Sequence, residues 1–175
     1  KLFVDGRKEV FSILLQKIKP RDQTIWFHAA SLGEYEQGLP VIEKIKEEYP
    51  SHKIIVSFFS PSGYEVRKNN TVADVTIYLP LDTPSNAKQF IQAIHPELAL
   101  FIKYEFWPNY LKELKKQQIP TYLVSGIFRE NQIFFKWYGA FYRKALDAFT
   151  YFFVQNEKSK KLLQQLGKTI VSISG

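Results

Sequence analysis

At 175 residues, the chain is long enough to form one domain with a buried core. Lysine and arginine outnumber aspartate and glutamate by 24 to 17, and the resulting net charge of +7 favours an anionic partner such as nucleic acid, acidic lipid or a phosphorylated sugar. The absence of cysteine excludes disulfides, thiolate metal sites and cysteine nucleophiles. No apolar run reaches the roughly 18 residues that a membrane-spanning helix needs.

The two ends of the sequence predict that the chain is part of a longer protein. Methionine is absent, even at position 1, and the last residues, 171–175, form a predicted strand with no helix after it. We therefore divide the chain into a lead-in segment, residues 1–23, and one domain, residues 24–175.

The lead-in segment combines basic side chains with apolar side chains at near-helical spacing. The apolar positions with this spacing are Val10, Ile13, Leu14 and Ile18. The pattern predicts a basic amphipathic helix. Such a helix either packs on the sheet of the domain or contacts an anionic membrane surface, and the sequence favours neither interpretation.

The domain begins with an almost wholly apolar run from Ile25 to Ala30, which is typical of a strand buried on both faces. The run breaks at Ser31 and Gly33 and passes into a helical pattern from Glu34 to about residue 49. In an open α/β sheet, ligands bind beyond the carboxyl ends of the strands, so Glu34 stands where a ligand would lie. The same position also suits a first-turn acid that only complements the helix dipole.

Six further predicted strands alternate with helical segments along the chain. They cover residues 53–58, 75–78, 97–102, 121–124, 151–154 and 169–173. This alternation predicts βαβ units, and hence an α/β fold with a Rossmann-like parallel sheet flanked by helices. The fifth strand is followed by Ser125-Gly126 and then by a long aromatic helical region that we expect to run to Phe149.

Small and polar residues follow nearly every predicted strand. They are Ser31, Gly33 and Glu34; Ser60, Ser62 and Gly63; Asp82; Glu105 and Asn109; Ser125 and Gly126; and Gln155, Asn156 and Glu157. In a parallel sheet these residues share one edge. Helix caps and turns account for many of them. They do not account for Glu105, a carboxylate placed among aromatic residues 104–107, which we interpret as a group of the functional site.

Several common kinds of site are excluded by missing motifs. The chain has neither the glycine pattern of a dinucleotide site nor that of a P-loop, and Ser31-Leu32-Gly33 is not the nucleophile elbow of a serine hydrolase. His28, His52 and His95 share no metal-ligand spacing. We expect His28 to be a buried, hydrogen-bonded residue in or beside the first strand, and we expect no metal and no cofactor.

Basic and aromatic side chains are interleaved between Arg129 and Lys144. Such a segment can stack nucleic-acid bases. It can equally bury acyl chains while its cations hold phosphates. A third interpretation is an aromatic helix packed in the core, which would account for roughly half of the rings.

Five short motifs carry a resemblance to a known family. They are His28-Ala29-Ala30-Ser31-Leu32-Gly33-Glu34, Ser60-Pro61-Ser62-Gly63, Tyr78-Leu79-Pro80-Leu81-Asp82, Glu105-Phe106-Trp107-Pro108-Asn109 and Gln155-Asn156-Glu157. In this order and at these intervals they resemble the N-terminal half of the Kdo transferases, the 3-deoxy-D-manno-octulosonic-acid transferases of lipopolysaccharide assembly. The resemblance covers nearly all of residues 24–175.

The resemblance implies the N-terminal half of a two-domain glycosyltransferase of the GT-B type. In this family the N-terminal domain receives a lipid A precursor (lipid IVA), and a C-terminal domain holds most of the CMP-Kdo donor site. Members usually begin with a membrane-anchoring helix, of which residues 1–23 would be the basic tail. We therefore expect an enzyme at the cytoplasmic face of the bacterial inner membrane that binds lipid A precursor, CMP-Kdo and the membrane surface but no nucleic acid, and we expect the isolated domain to be inactive.

The resemblance also implies roles for individual residues. Glu34 matches the glutamate taken as catalytic base, and Glu105 matches a second glutamate important for activity. Two positions depart from the family: Lys103 stands where an acidic residue is frequent, and the Asn-Ala-Arg turn after the fifth strand appears as residues 125–127, with Arg129 displaced. The residues that we expect at the substrate are Ser31, Gly33, Ser60, Ser62, Gly63, Asn109 and Arg129.

The chemistry of the implied reaction agrees with these residues. Transfer from a CMP-sugar needs little help at the leaving group, because the phosphate departs as an anion, but it needs a base for the proton of the attacking hydroxyl. Glu34 fits that role, and Glu105 would orient the acceptor or stabilise positive charge on the donor sugar. Two alternatives remain open: a two-domain transferase for another nucleotide sugar, and a non-catalytic α/β module that binds nucleic acid.

Overall fold

The computed structural model describes Arg7 and residues 9–69 and 71–174. Within these residues, seven strands form one sheet in the order β3-β2-β1-β4-β5-β6-β7, and every neighbouring pair is parallel. The strands are β1 (Thr24–Ala29), β2 (Lys53–Phe58), β3 (Val75–Tyr78), β4 (Leu98–Ile102), β5 (Thr121–Gly126), β6 (Tyr151–Val154) and β7 (Val171–Ile173). The predicted parallel α/β sheet is therefore confirmed.

Helices connect the strands and cover both faces of the sheet. They are α1 (Val10–Lys17), α2 (Leu32–Glu48), α3 (Pro61–Arg67), α4 (Pro84–Ile94), α5 (Pro108–Lys116), α6 (Ala140–Ala145) and α7 (Glu157–Gln165). Two short 3-10 turns, Ile133–Phe135 and Leu146–Ala148, flank α6. No helix in the described part of the chain is both long enough and apolar enough to cross a membrane.

The strand order places a crevice at the centre of the sheet. β1 pairs with β2 on one side and with β4 on the other. The chain thus builds one half of the sheet outward from β1 to β3 and then crosses over to build the other half from β4. In doubly wound sheets, ligands bind outside the carboxyl ends of the strands where the order reverses. Here that position lies between β1 and β4.

Alternate residues of each central strand fill two separate cores, because successive side chains of a strand point to opposite faces. On one face, the centroid of the Trp26 ring lies 5.1 Å from those of both Phe90 and Phe101. On the other face, Phe27 belongs to a cluster that includes Tyr35 and Ile42 of α2. All six residues of β1 are buried, so packing holds the side chains of this strand on both faces of the sheet.

The lead-in segment packs on this domain wherever it is described. Val10, Leu14 and Ile18 are buried in the same core cluster as Trp26. The apolar stripe that allowed two interpretations therefore faces protein, whereas Leu15, on the opposite side of α1, is 72% exposed. Residues 1–6 and 8 lie outside the described residues, and the expected membrane-anchoring helix stays a prediction.

The long aromatic helix predicted after β5 is wrong. Its place is taken by the two 3-10 turns and the short helix α6. The chain turns at Gly139, where the backbone N–H donates to the carbonyl of Lys136 at 3.0 Å, and any Cβ would overlap the carbonyl oxygen of Ile133. The Arg143 guanidinium donates to the carbonyls of Phe134 and Lys136. These contacts satisfy carbonyl groups that a continuous helix would have used internally.

The interpretation that assigned about half of the rings between Arg129 and Lys144 to the core overstates their burial. Phe134 is buried and Phe135 is half-buried. Trp137 is 90% exposed, and the exposed rings beside it are Tyr138, Phe141 and Tyr142. The segment therefore has a core side and a solvent side without being a single helix.

Two glycine-to-alanine substitutions distinguish a glycine that close packing requires from one that has open space beside it. A Cβ at Gly63 would overlap the buried Phe58 ring, lying 2.6 Å from its Cε1, whereas a Cβ at Gly33 meets nothing within 4 Å. We expect Gly63→Ala to lower the free energy of unfolding by about 1–3 kcal/mol, the usual cost of overpacking. The matched Gly33→Ala change should stay within about 0.5 kcal/mol of the parent chain. Urea denaturation followed by tryptophan fluorescence measures both, and equal stabilities would contradict the packing role of Gly63.

Candidate functional site

Two glutamates meet at the position where the strand order reverses. Glu34 follows β1 and lies in the first turn of α2, and Glu105 follows β4 just before α5. Each residue is only 8% exposed. The sequence predicted both as site residues because each follows a buried strand, and the pairing of β1 with β4 puts the two strand ends side by side.

Glu34 is anchored through one of its two carboxylate oxygens. Its Oε2 accepts a hydrogen bond of 2.6 Å from the backbone N–H of Ala30. Ser31 is the N-cap residue of α2, but its side chain makes no capping hydrogen bond. Glu34 thus satisfies a backbone donor at the start of its own helix, in the manner of the acid in a capping box. Glu34 therefore does act as an acidic residue that stabilises the first turn of its helix, as one interpretation of the sequence held.

Glu105 is anchored in a similar way from the other side. Its Oε2 lies 2.9 Å from Nε2 of His28 and accepts a hydrogen bond of 2.6 Å from Nε1 of Trp107. His28 is the penultimate residue of β1 and is fully buried, as predicted. Glu105 is therefore held against the core of the sheet by one oxygen.

The second oxygen of each carboxylate is available. Among the described residues, no group donates a hydrogen bond to Oε1 of Glu34 or to Oε1 of Glu105, and neither atom is buried without a partner. Each glutamate thus has one oxygen that the fold uses and one oxygen that can meet an incoming polar group. Within the same residues, no three His, Asp or Glu side chains converge as metal ligands would.

The surroundings of Glu34 raise its pKa above the ordinary glutamate value. Burial is the main cause, and the negative charge of Glu105 adds to it. The hydrogen bond from the N–H of Ala30 and the positive charge of Lys103 act in the opposite direction. A carboxylate with a raised pKa is a stronger proton acceptor than an ordinary one, so the site suits general-base chemistry near neutral pH.

Behind Glu105, two further polar groups continue into the core. Nδ1 of His28 lies 2.8 Å from the hydroxyl oxygen of Ser57, and that oxygen accepts a hydrogen bond of 2.8 Å from Nε1 of Trp26. Neither Ser57 nor Trp26 is predicted from the sequence as a functional residue. The only local signal was a serine inside an apolar strand; its partnership with His28 depends on the β1–β2 register, which pairs the two residues.

Two residues at the mouth of the site lie in the left-handed region of backbone conformation. Lys103, which directly follows β4, and Ser125, the penultimate residue of β5, have φ angles of 65° and 53°. Non-glycine residues adopt this conformation only where the surrounding structure imposes it, and such residues concentrate at functional sites. Two of the four described non-glycine residues with positive φ therefore lie at the carboxyl ends of β4 and β5.

The residues expected at the substrate occupy the predicted edge, but with different roles. Gly33 is exposed beside Glu34. The hydroxyls of Ser60 and Ser62 lie 2.7 Å apart at the end of β2. Gly63, by contrast, is buried under Phe58, so its side-chain-free position serves packing rather than presenting an open surface.

Asn109 is hydrogen-bonded to Asp82 through both its side chain and its backbone. Its side-chain amide donates to the carbonyl of Asp82 at 3.0 Å, and its backbone N–H donates to the Asp82 carboxylate, which also accepts from the N–H of Tyr110. Asp82 therefore caps the N-terminus of α5. Burial raises the pKa of the Asp82 carboxyl, while these hydrogen bonds lower it. Asn109 fixes the helix that follows Glu105, and its side chain is not free.

Among the described residues, no hydrogen bond or ion pair joins Arg129 to Glu34 or Glu105. Arg129 is exposed, and it lines an open hollow of about 540 Å³ with Asn156 and Lys158 near the carboxyl ends of β5 and β6. Lys158 pairs with Glu130 across this hollow at 3.1 Å. The hollow lies on the same edge of the sheet as the site, one strand beyond β4, and carries an exposed cation.

Comparison with known proteins identifies relatives whose sequences are similar to this chain. The family model of the 3-deoxy-D-manno-octulosonic-acid transferases matches residues 6–175. The curated 3-deoxy-D-manno-octulosonic acid transferase of Haemophilus influenzae is 36% identical over 109 residues, which are 61% of this chain and 25% of that protein. The transferase of the same name from Chlamydophila psittaci is 30% identical over 158 residues, 86% of this chain and 36% of that protein.

The fold has solved counterparts at low sequence identity. The crystal structure of UDP-GlcNAc 2-epimerase from Neisseria meningitidis bound to UDP-GlcNAc has a TM-score of 0.62 and 15% sequence identity, and the match covers 87% of this chain and 46% of that one. This likeness supports a Rossmann-like half of the GT-B type. The chain spans between about a quarter and two fifths of the curated relatives that it matches. Since the family model matches nearly its whole length, the chain belongs to the 3-deoxy-D-manno-octulosonic-acid (Kdo) transferase family.

Proposed function

We propose that the full-length protein transfers Kdo from CMP-Kdo to a lipid A precursor, lipid IVA, with inversion at the sugar, and that Glu34 is the general base. One observation carries the proposal: at the point where the strand order reverses, Glu34 has a carboxylate oxygen that no group donates to among the described residues, in a chain that belongs to the Kdo transferase family. The domain described here would receive the acceptor. The donor would be held mainly by a C-terminal domain, in the part of the relatives that this chain does not span.

The proposed step is a single displacement. The acceptor hydroxyl oxygen forms a bond to the anomeric carbon of Kdo, while the bond from that carbon to the CMP phosphate oxygen breaks. The phosphate leaves with the electron pair, and the hydroxyl proton passes to Oε1 of Glu34. Because attack comes from the face opposite the leaving group, the configuration inverts. A raised pKa makes the Glu34 carboxylate a suitable proton acceptor for this step.

Glu105 has a supporting role in this proposal. Its charge is close enough to that of Glu34 to raise the pKa of Glu34. With Oε2 held by His28 and Trp107, its Oε1 can accept a hydrogen bond from the acceptor sugar or stabilise positive charge that develops on the donor sugar. Either role requires the carboxylate to keep a fixed orientation.

We assign the remaining substrate contacts to the edge of the sheet. Ser31 and Gly33 flank Glu34, and the paired hydroxyls of Ser60 and Ser62 lie at the end of the neighbouring strand β2. Arg129 offers a guanidinium that can bind a phosphate in bidentate fashion. Gly63 and Asn109 contribute indirectly, through the packing of α3 and the capping of α5.

An exposed aromatic surface supports contact with a lipid membrane at the cytoplasmic face of the inner membrane. This surface consists of Trp137, Tyr138, Phe141 and Tyr142. Phe141 and Lys144 also line a hollow of about 240 Å³ together with Lys112 and Lys115 of α5. Aromatic rings beside lysines suit a membrane interface, where rings enter the headgroup region and cations meet phosphates.

Removal of the proposed base gives the most direct test. Glu34→Gln keeps an oxygen that can accept the Ala30 N–H but cannot take a proton, so we expect kcat to fall by about 10²- to 10⁴-fold while the fold is retained. Glu36→Gln, on the same helix, is the matched control because Glu36 is exposed and pairs only with Arg67 among the described residues. Transfer of Kdo from CMP-Kdo by the full-length enzyme is the measurement, and near-normal turnover by Glu34→Gln would rule out the base.

The charge of Lys103 provides a second test. Because this charge lowers the pKa of Glu34, Lys103→Gln should raise that pKa further and move the acidic limb of the pH profile of kcat/KM to higher pH. Lys103→Arg keeps the charge and should leave the limb in place. An acidic limb that does not respond to Lys103→Gln would show that another group controls it.

The membrane contact can be tested on vesicles that contain anionic phospholipid. Replacing both Trp137 and Phe141 with alanine should weaken binding to these vesicles by roughly tenfold or more, since each exposed ring would otherwise bury apolar area in the interface. Val66→Ala, at another exposed apolar position, is the control. Unchanged sedimentation of the double variant with vesicles would exclude this surface as the contact.

A further inference from the structure

A continuous chain of buried hydrogen bonds runs from the core of the sheet to Glu105. It consists of Trp26, Ser57 and His28, all of which are fully buried. We propose that these three residues form a positioning relay that holds His28 as the neutral Nε2–H tautomer and thereby fixes the Glu105 carboxylate at the acceptor site. The inference rests on the proposed transferase function and extends it to residues outside the substrate edge.

The direction of each hydrogen bond follows from which groups can donate. The indole Nε1–H of Trp26 can only donate, so the Ser57 oxygen accepts it at 2.8 Å. The Ser57 hydroxyl then has its own hydrogen to donate, and Nδ1 of His28 is 2.8 Å away. In the proposed relay, Ser57 donates this hydrogen to Nδ1, and the imidazole hydrogen is on Nε2.

The other end of the relay agrees with this assignment. Nε2 of His28 lies 2.9 Å from Oε2 of Glu105, which as a carboxylate can only accept. Nε1 of Trp107 donates to the same oxygen at 2.6 Å. Trp107 Nε1 also lies within hydrogen-bond distance of His28 Nε2, at 2.9 Å, but the carboxylate oxygen is the nearer acceptor for the indole N–H. With hydrogen on Nδ1 instead, the lone pair of Nε2 would face the carboxylate.

The placement of the relay explains why a loop residue can be held precisely enough for chemistry. Glu105 belongs to the connection between β4 and α5, and the preceding Lys103 has a positive φ. His28 and Ser57 are register partners in adjacent central strands. The relay therefore ties a carboxylate on a connecting segment to two buried, paired strands of the sheet. Buried polar groups destabilise a fold unless they are fully hydrogen-bonded. Each polar group of the relay has a hydrogen-bond partner.

The tautomer itself can be measured. In full-length protein labelled with ¹⁵N at histidine, two-bond ¹H–¹⁵N correlation distinguishes Nε2–H from Nδ1–H rings. His52→Gln and His95→Gln assign the other two histidines of this chain. We expect His28 to be an Nε2–H tautomer, and we expect Ser57→Ala to convert it to a mixture or to the Nδ1–H form. An Nδ1–H ring in the parent protein would overturn the relay.

Kinetics test whether the relay serves the reaction. We expect Ser57→Ala to lower kcat by about 10- to 100-fold with little change in KM, the range usual for residues that orient a site group. Ser57→Thr restores the hydroxyl and should recover most of kcat. Ser159→Ala is the matched control, because Ser159 is equally buried and its oxygen accepts from the N–H of Phe128 in another part of the domain. Equal kcat values for Ser57→Ala and Ser159→Ala would overturn the positioning role.

The outcomes separate this inference from the proposed function. An inactive Glu34→Gln enzyme together with fully active Ser57→Ala would leave the transferase proposal standing and remove the relay. Normal turnover by Glu34→Gln would remove the proposed base, while the tautomer of His28 would still decide the hydrogen-bond assignment. If Ser57→Ala fails to fold, the parent tautomer and the Ser57→Thr kinetics decide the question.

Discussion

The pairing of β1 with β4 is the constraint on which the rest of the site depends. These two strands belong to different halves of the sheet, and their parallel contact brings the ends of both halves to one crevice. Glu34 begins the helix after one strand, and Glu105 lies in the connection after the other. Neither residue could meet the other if β1 paired with β2 alone. The crevice and its two carboxylates are thus consequences of strand order.

Bringing two carboxylates together has a cost in stability. Because burial and the charge of Glu105 raise the pKa of Glu34 in the folded protein, the unfolded chain ionises first as the pH rises through the ordinary glutamate value. Folding stability therefore falls over the interval up to the folded pKa, and the penalty persists at higher pH. The hydrogen bond from Ala30 offsets part of it. Such a penalty is typical of sites whose groups are placed for chemistry rather than for packing.

The sequence predicted the fold more fully than it predicted the site. Apolar runs identified the strands, with residues 75–78 and 151–154 matching β3 and β6 at both ends. The positions of Glu34 and Glu105 followed from the same pattern, since both come after buried strands. The partnership of Ser57 with His28 did not follow, because register between strands is a long-range property that no local pattern records.

The aromatic segment after β5 shows a different reason for failure. Its residues favour a helix locally, but the backbone N–H of Gly139 and the guanidinium of Arg143 bond to carbonyls of residues 134 and 136 within the same segment, in a pattern that a continuous helix does not allow. Likewise, Gly63 and Asn109 stand on the predicted edge, yet the first is required by the Phe58 ring and the second by Asp82. Sequence position alone could not separate residues that face a ligand from residues that support their neighbours.

The hydrogen bond between His28 and Glu105 joins residues 77 positions apart. Closing so large a loop is entropically unfavourable, and such non-local contacts form late relative to local helices and turns. During synthesis, the ribosome must release the whole of β4 before the acidic pair exists in any form. A chain released only as far as β3 would therefore carry the first helices but neither the acidic pair nor the exposed rings at residues 137–142, so the site would form only when the two halves of the sheet join.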